Sequence, residues 1–148
     1  MPPIQSYEIY TGNKYNGQIS DASTPRVIGS VVAAQDTGFG IAMALDGTID
    51  ANGGSLFGLS VRELNHEATN KPSDGATHYP AGQTVSVLRE GYINLEVTVG
   101  TAVAGDAVRF AADGTVDMTA GTASTNVFWM GAGSVGDVVR SRIDIIAP

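Results

Sequence analysis

His66 and His78 are the side chains of this chain best suited to acid–base or metal chemistry, and they lie twelve positions apart in one polar stretch. Neither falls in a metal-ligand spacing such as His-Glu-x-x-His, and no third ligand clusters with them. His66-Glu67 could serve as a base and its partner, but a surface histidine beside a glutamate is common. Asp46-Gly47-Thr48-Ile49-Asp50 has a superficial likeness to a calcium loop, yet it lacks the alternating acidic ligands and the bidentate Glu. Asp113-Gly114-Thr115-Val116-Asp117 repeats the same spacing, which points to a shared hairpin turn in both places.

Other chemistries find no better footing. Gly38-Phe39-Gly40 and Gly131-Ala132-Gly133 are followed by β-patterned or irregular sequence, whereas a phosphate cradle needs a helix start behind it. No Gly-x-Ser-x-Gly offers a serine nucleophile. The chain has no cysteine, which removes disulfides, thiolate catalysis and Cys-ligated metals. A carboxylate pair for glycoside hydrolysis shows itself only in space, but a carbohydrate groove normally wants several aromatics and there is one Trp. That residue, Trp129, stands between Phe128 and Met130 and reads as core or as an interface anchor. No cofactor is expected.

The elements around these residues read as all-β. Gly82-Gln83-Thr84-Val85-Ser86-Val87, Gly105-Asp106-Ala107-Val108-Arg109-Phe110 and Gly136-Asp137-Val138-Val139-Arg140 share one pattern: a Gly, a polar residue, then an alternating apolar run. Each predicts a turn that delivers the chain into a half-buried strand. Further strands are expected over 26–34, 39–45 and 56–61, with Asp46-Gly47 as a turn. Strands 84–89 and 92–99 flank Glu90-Gly91, which reads as a tight hairpin; 107–111 and 115–118 flank Asp113-Gly114 as a second. Residues 119–126 read as a loop, 127–130 restart the sheet, and 137–146 close it. Residues 62–80 form one long polar loop holding both histidines, with a weak helical pattern near 61–68; a connection of that length is usually functional or mobile.

These elements predict one small domain, a β-barrel or β-sandwich over 26–148, preceded by a polar N-terminal segment, 1–25. That segment carries Tyr7, Tyr10 and Tyr15, three of the five tyrosines, and reads as a docking arm or as a first strand with a loop.

Composition narrows the partners. Charged residues are 16% of the chain, against roughly 25% in an average soluble domain. A surface that meets protein explains this, and so does a Gly/Ala/Thr-rich β-domain with neutral turns. The net charge of −7 and scattered cations argue against nucleic acid. Met1-Pro2-Pro3-Ile4 has neither the basic start nor the apolar run of a signal peptide. No run approaches the roughly 18 apolar residues that would suggest a membrane span.

Several segments, taken in order, resemble one family. They are Pro3-Ile4-Gln5-Ser6-Tyr7, Thr24-Pro25-Arg26-Val27-Ile28-Gly29-Ser30, Phe39-Gly40-Ile41-Ala42 and Leu56-Phe57-Gly58-Leu59-Ser60-Val61-Arg62. Tyr79-Pro80-Ala81-Gly82-Gln83-Thr84-Val85-Ser86-Val87-Leu88-Arg89-Glu90-Gly91 and Val103-Ala104-Gly105-Asp106-Ala107-Val108 follow. This order is similar to that of the structural cement, or capsid decoration, proteins of tailed bacteriophages. The resemblance implies a non-enzymatic β-domain on the outer surface of the phage head, a homo-oligomer (dimer or trimer) that clamps neighbouring subunits of the major capsid protein. It brings no catalytic residues. Tyr7, Tyr10, Tyr15, Arg26 and Trp129 are the expected capsid or subunit contacts. A second class of reading is a virion-displayed module for host-surface glycans or receptors, with the His-containing loop as its site. A third, a small β-enzyme with dispersed carboxylates, lacks any convergent motif.

Overall fold

The computed structural model describes residues 15–20, 26–49, 56–62 and 78–145. Seven strands run through them: β1 (Val27–Val32), β2 (Ala42–Ala44), β3 (Leu56–Ser60), β4 (Thr84–Glu96), β5 (Ala107–Phe110), β6 (Thr122–Trp129) and β7 (Val138–Asp144). All strand pairings are antiparallel, and the sheet order is β2-β3-β4-β7-β6-β5, with β1 also paired to β4. The sheet curls into a half-barrel. Its two terminal strands approach each other, since the Ala42 N–H donates to the Gly114 carbonyl in the turn after β5 (3.1 Å). No helix occurs among the described residues.

The glycine pattern has one physical cause. Gly82, Gly105 and Gly136 have φ of +85°, +90° and +91°, and each stands two residues before the start of β4, β5 or β7. In each case the residue after the glycine donates to a carbonyl three positions back: Gln83 to Pro80, Asp106 to Val103, Asp137 to Ser134. A left-handed third residue with that bond is a type II turn. Gly17 (φ +79°) makes a fourth, closed by Gln18 N–H to the Tyr15 carbonyl.

β4 is the spine. Val87 and Leu88 pair with both β1 and β3, so those strands flank its first half on opposite edges. Its second half pairs with β7, while Ile19 bridges Ile93 from the other side. The hairpin expected at Glu90-Gly91 is therefore absent: 84–96 is one strand. Gly91, at φ +136°, bends it where the partners change, opposite a bulge between Val27 and Ile28.

The loop expected over 119–126 is likewise corrected, because β6 begins at Thr122. Its buried positions step from Ser124 to Val127 and then Trp129. The β5–β6 register slips over the same stretch, and the Asn126 N–H bonds Ser124 Oγ (3.2 Å). That bulge breaks the period of two by which a strand is recognised. The expected strand 115–118 shrinks to single bridges at Val116 and Asp117, and 39–45 to the three residues of β2.

Two apolar clusters fill the curl. The larger gathers Leu59, Leu88, Ile93, Leu95, Phe110 and Trp129. The smaller holds Val31, Phe39, Ile41, Met43, Tyr79 and Val85. Phe39 and Tyr79 meet edge to face, 5.5 Å between centroids, and the Tyr79 hydroxyl donates to the Val61 carbonyl.

Candidate interaction surface

The first Asp of each calcium-like segment, Asp46 and Asp113, is tied up in a turn. Asp46 Oδ1 accepts the Thr48 N–H (3.0 Å) and hydroxyl (2.5 Å), and Asp113 Oδ1 does the same with Thr115 (3.1 and 2.5 Å). The two hairpins match bond for bond: Ala44 N–H to the Thr48 carbonyl, and Ala111 N–H to that of Thr115. Their bridges, Met43 to Ile49 and Phe110 to Val116, have the same spacing. The Thr48 hydroxyl and then its N–H hold the Asp46 carboxyl below the usual Asp range; Thr115 does so for Asp113. The hairpin reading holds at both sites. Among the described residues no group of three or more His, Cys, Asp or Glu could hold a metal ion.

His66 and most of the long loop lie outside the described residues. His78 is placed, with Nε2 3.9 Å from Asp36 Oδ2. Asp36 Oδ1 also accepts the Ala81 N–H (2.9 Å), and Thr37 bridges Tyr79. This histidine is part of a brace where the loop rejoins the sheet. The helical pattern near 61–68 falls outside the described residues beyond Arg62, and Val61 and Arg62 are not helical.

Of the five expected contact residues, Tyr15, Arg26 and Trp129 are among those described. Tyr7 and Tyr10 lie outside the described residues. Tyr15 is exposed, with the Arg62 guanidinium 4.0 Å above its ring. Residues 15–20 are tied to β4 through its backbone: the Gly17 N–H donates to the Asn94 carbonyl, Asn94 N–H to Gln18, and Ser20 N–H to Tyr92. Arg26 is exposed at the entrance to β1, beside Gly91. Trp129 is fully buried, and its Nε1–H points at Met118 Sδ (3.2 Å). Of the two roles the sequence allows it, this burial fits core.

Among the described residues, accessible apolar surface lies elsewhere, in two places. One is a strip on β1, formed by Val27, Ile28 and Val32, with Leu45 (69% exposed) in the adjoining turn. The Ala34 N–H fixes that turn through the Gly47 carbonyl. The other is the end of the half-barrel beyond β4 and before β7, where Val99, Val103, Met130 and Val135 (62% exposed) project, with Phe128 nearby on β6. Sequence reading missed both, because these residues sit in apolar runs that resemble core. The signal was positional: Val103 and Val135 belong to type II turns, where an apolar side chain has no sheet face to bury against.

The family model described as "Structural cement protein (E217 gp24/Pam3 gp6)" matches residues 4–144. No curated protein matches the chain.

Proposed function

The chain belongs to the phage structural cement protein family, a structural and not an enzymatic family whose role is capsid stabilisation, and from that premise we propose that it decorates the outer surface of the phage head. There it binds across joints between major capsid protein subunits, as a homo-oligomer. The observation that carries this reading is the exposed apolar surface of the half-barrel end, where Val99, Val103, Met130 and Val135 project. A cement works by contact area. Whatever binds the assembled shell better than its separated subunits stabilises the shell by mass action. Many equivalent weak sites add up, and an oligomer adds avidity where it engages two sites at once.

The test is addition of the purified protein to undecorated capsid shells. Saturable binding and a higher temperature of shell rupture are the expected results. Shells that bind none of it would sink the reading.

A further inference from the structure

We propose that the half-barrel end built from residues 97–106 and 129–137 is the face that docks on the capsid shell, and that it meets an apolar patch rimmed by Lys or Arg. This rests on the cement reading above and names the surface and partner chemistry that the reading leaves open.

The two loops form one platform. The Ala102 and Gly133 backbones bond each other in both directions (2.8 and 3.1 Å). The Gly105 N–H donates to the Trp129 carbonyl, and the Gly136 N–H to that of Val97 (2.8 and 2.9 Å). Asp137 Oδ2 accepts the Ser134 N–H (2.9 Å) and so fixes its own turn. Val99, Val103, Met130 and Val135 therefore project from backbone already bonded in place, which lowers the ordering cost of docking. Exposed apolar side chains gathered on one surface are an interaction signature, whereas scattered ones are not.

Charge selects the partner. Residues 97–106 and 129–137 contain no Lys or Arg, and their two ionisable side chains, Asp106 and Asp137, are exposed. The cations bordering it lie outside these loops and have partners there: the Arg140 guanidinium lies 4.1 Å over the Tyr92 ring, Arg142, opposite Phe128, stands 3.6 Å from Asp144 Oδ2, and Arg109 Nη1 donates to the Gly121 carbonyl (2.8 Å). A second copy placed on this face by a two-fold axis would set four carboxylates on one rim with no cation in either pair of loops. A basic-rimmed apolar surface complements it without that repulsion.

Undecorated capsid shells are the probe. Val103→Ser, Met130→Ser and Val135→Ser change exposed side chains, so their unfolding midpoints should stay close to that of the wild-type protein. Each is expected to bind shells about fivefold or more weakly, as central contact residues do, and Asp106→Lys should weaken binding more than Asp106→Asn. Val32→Ser and Leu45→Ser, at the opposite end of β4, are the controls and should bind as the wild type does. Loop-end variants that bind normally, or that lose self-association in solution while still decorating shells, would overturn the proposal and leave the cement reading standing. Wild-type protein that fails to decorate shells would overturn both.

Discussion

Asn16 and Glu96, eighty residues apart, are joined by a 2.9 Å hydrogen bond from the Glu96 N–H to the Asn16 Oδ1. The same amide donates through Nδ2 to the Phe39 carbonyl at 2.8 Å. One half-buried side chain thus fastens the N-terminal segment to the end of β4 and to the loop before β2. Asn16→Ala is expected to lower stability by about 1–3 kcal/mol, read from denaturant unfolding. A Cβ on Gly40, itself at φ +69°, would stand 2.5 Å from Asn16 Oδ1. Gly40→Ala should therefore cost less in the Asn16→Ala background than in the wild type, and strictly additive effects would contradict the staple.

The turn glycines separate two costs. A Cβ on Gly136 meets nothing within 4 Å, so Gly136→Ala carries only the strain of a left-handed backbone, about 1 kcal/mol. At Gly114 (φ +78°) the same Cβ would stand 2.5 and 2.6 Å from the Cγ2 atoms of Ile41 and Ile49. Gly114→Ala adds overpacking, typically a further ~1–3 kcal/mol, where the two ends of the sheet meet. Equal unfolding midpoints for the two variants would refute this difference.

Much of this frame was legible in the chain. A glycine forced to positive φ leaves a mark independent of distant contacts, so Gly82, Gly105, Gly136 and the Asp-Gly-Thr hairpins were placed correctly. Gly17, in Asn16-Gly17-Gln18-Ile19, carries the same mark, but the polar segment around it shows no apolar alternation that would announce a strand. The failures were tertiary. Glu90-Gly91 has turn chemistry, but neighbours on both edges hold β4 extended. The start of β6 hides behind a bulge at Ser124–Val127. The interaction surface was least legible, since Val103 and Val135 differ from core valines only in where the sheet leaves them.

Acid should expose the turn carboxylates. The N–H groups of Ala120 and then Thr119 hold the Asp117 carboxyl below the usual Asp range, as the Thr48 and Thr115 hydroxyls do for Asp46 and Asp113. A carboxyl depressed in the folded state contributes stability that is fully present above its unfolded pKa. It is lost as pH falls through the folded value. The unfolding midpoint should thus hold from neutrality down to the ordinary Asp range and fall below it. A variant with Asp46→Asn, Asp113→Asn and Asp117→Asn should be less stable at neutral pH and converge with the wild type in acid. Parallel curves across that window would show that these groups do not set the acid limit.

Gly91 offers the sharpest test of β4 as one continuous strand. In a two-residue hairpin, the glycine of Glu90-Gly91 would sit near the left-handed helical region, around φ +57°, which Asn tolerates far better than Ala. Gly91→Asn would then be mild and Gly91→Ala worse. In this fold Gly91 has φ +136° within β4, well away from that region, so an Asn side chain gains no advantage. A Cβ there would also lie 3.3 Å from that of Arg26 and 3.5 Å from Leu88 Cδ1. Both substitutions are therefore expected to destabilise the domain by a similar amount, about 1–3 kcal/mol for a non-glycine residue held in a sparsely populated conformation. Denaturant midpoints of the two variants decide the matter. A near-wild-type Gly91→Asn beside a weakened Gly91→Ala would restore the hairpin and break the spine that links β1, β3 and β7.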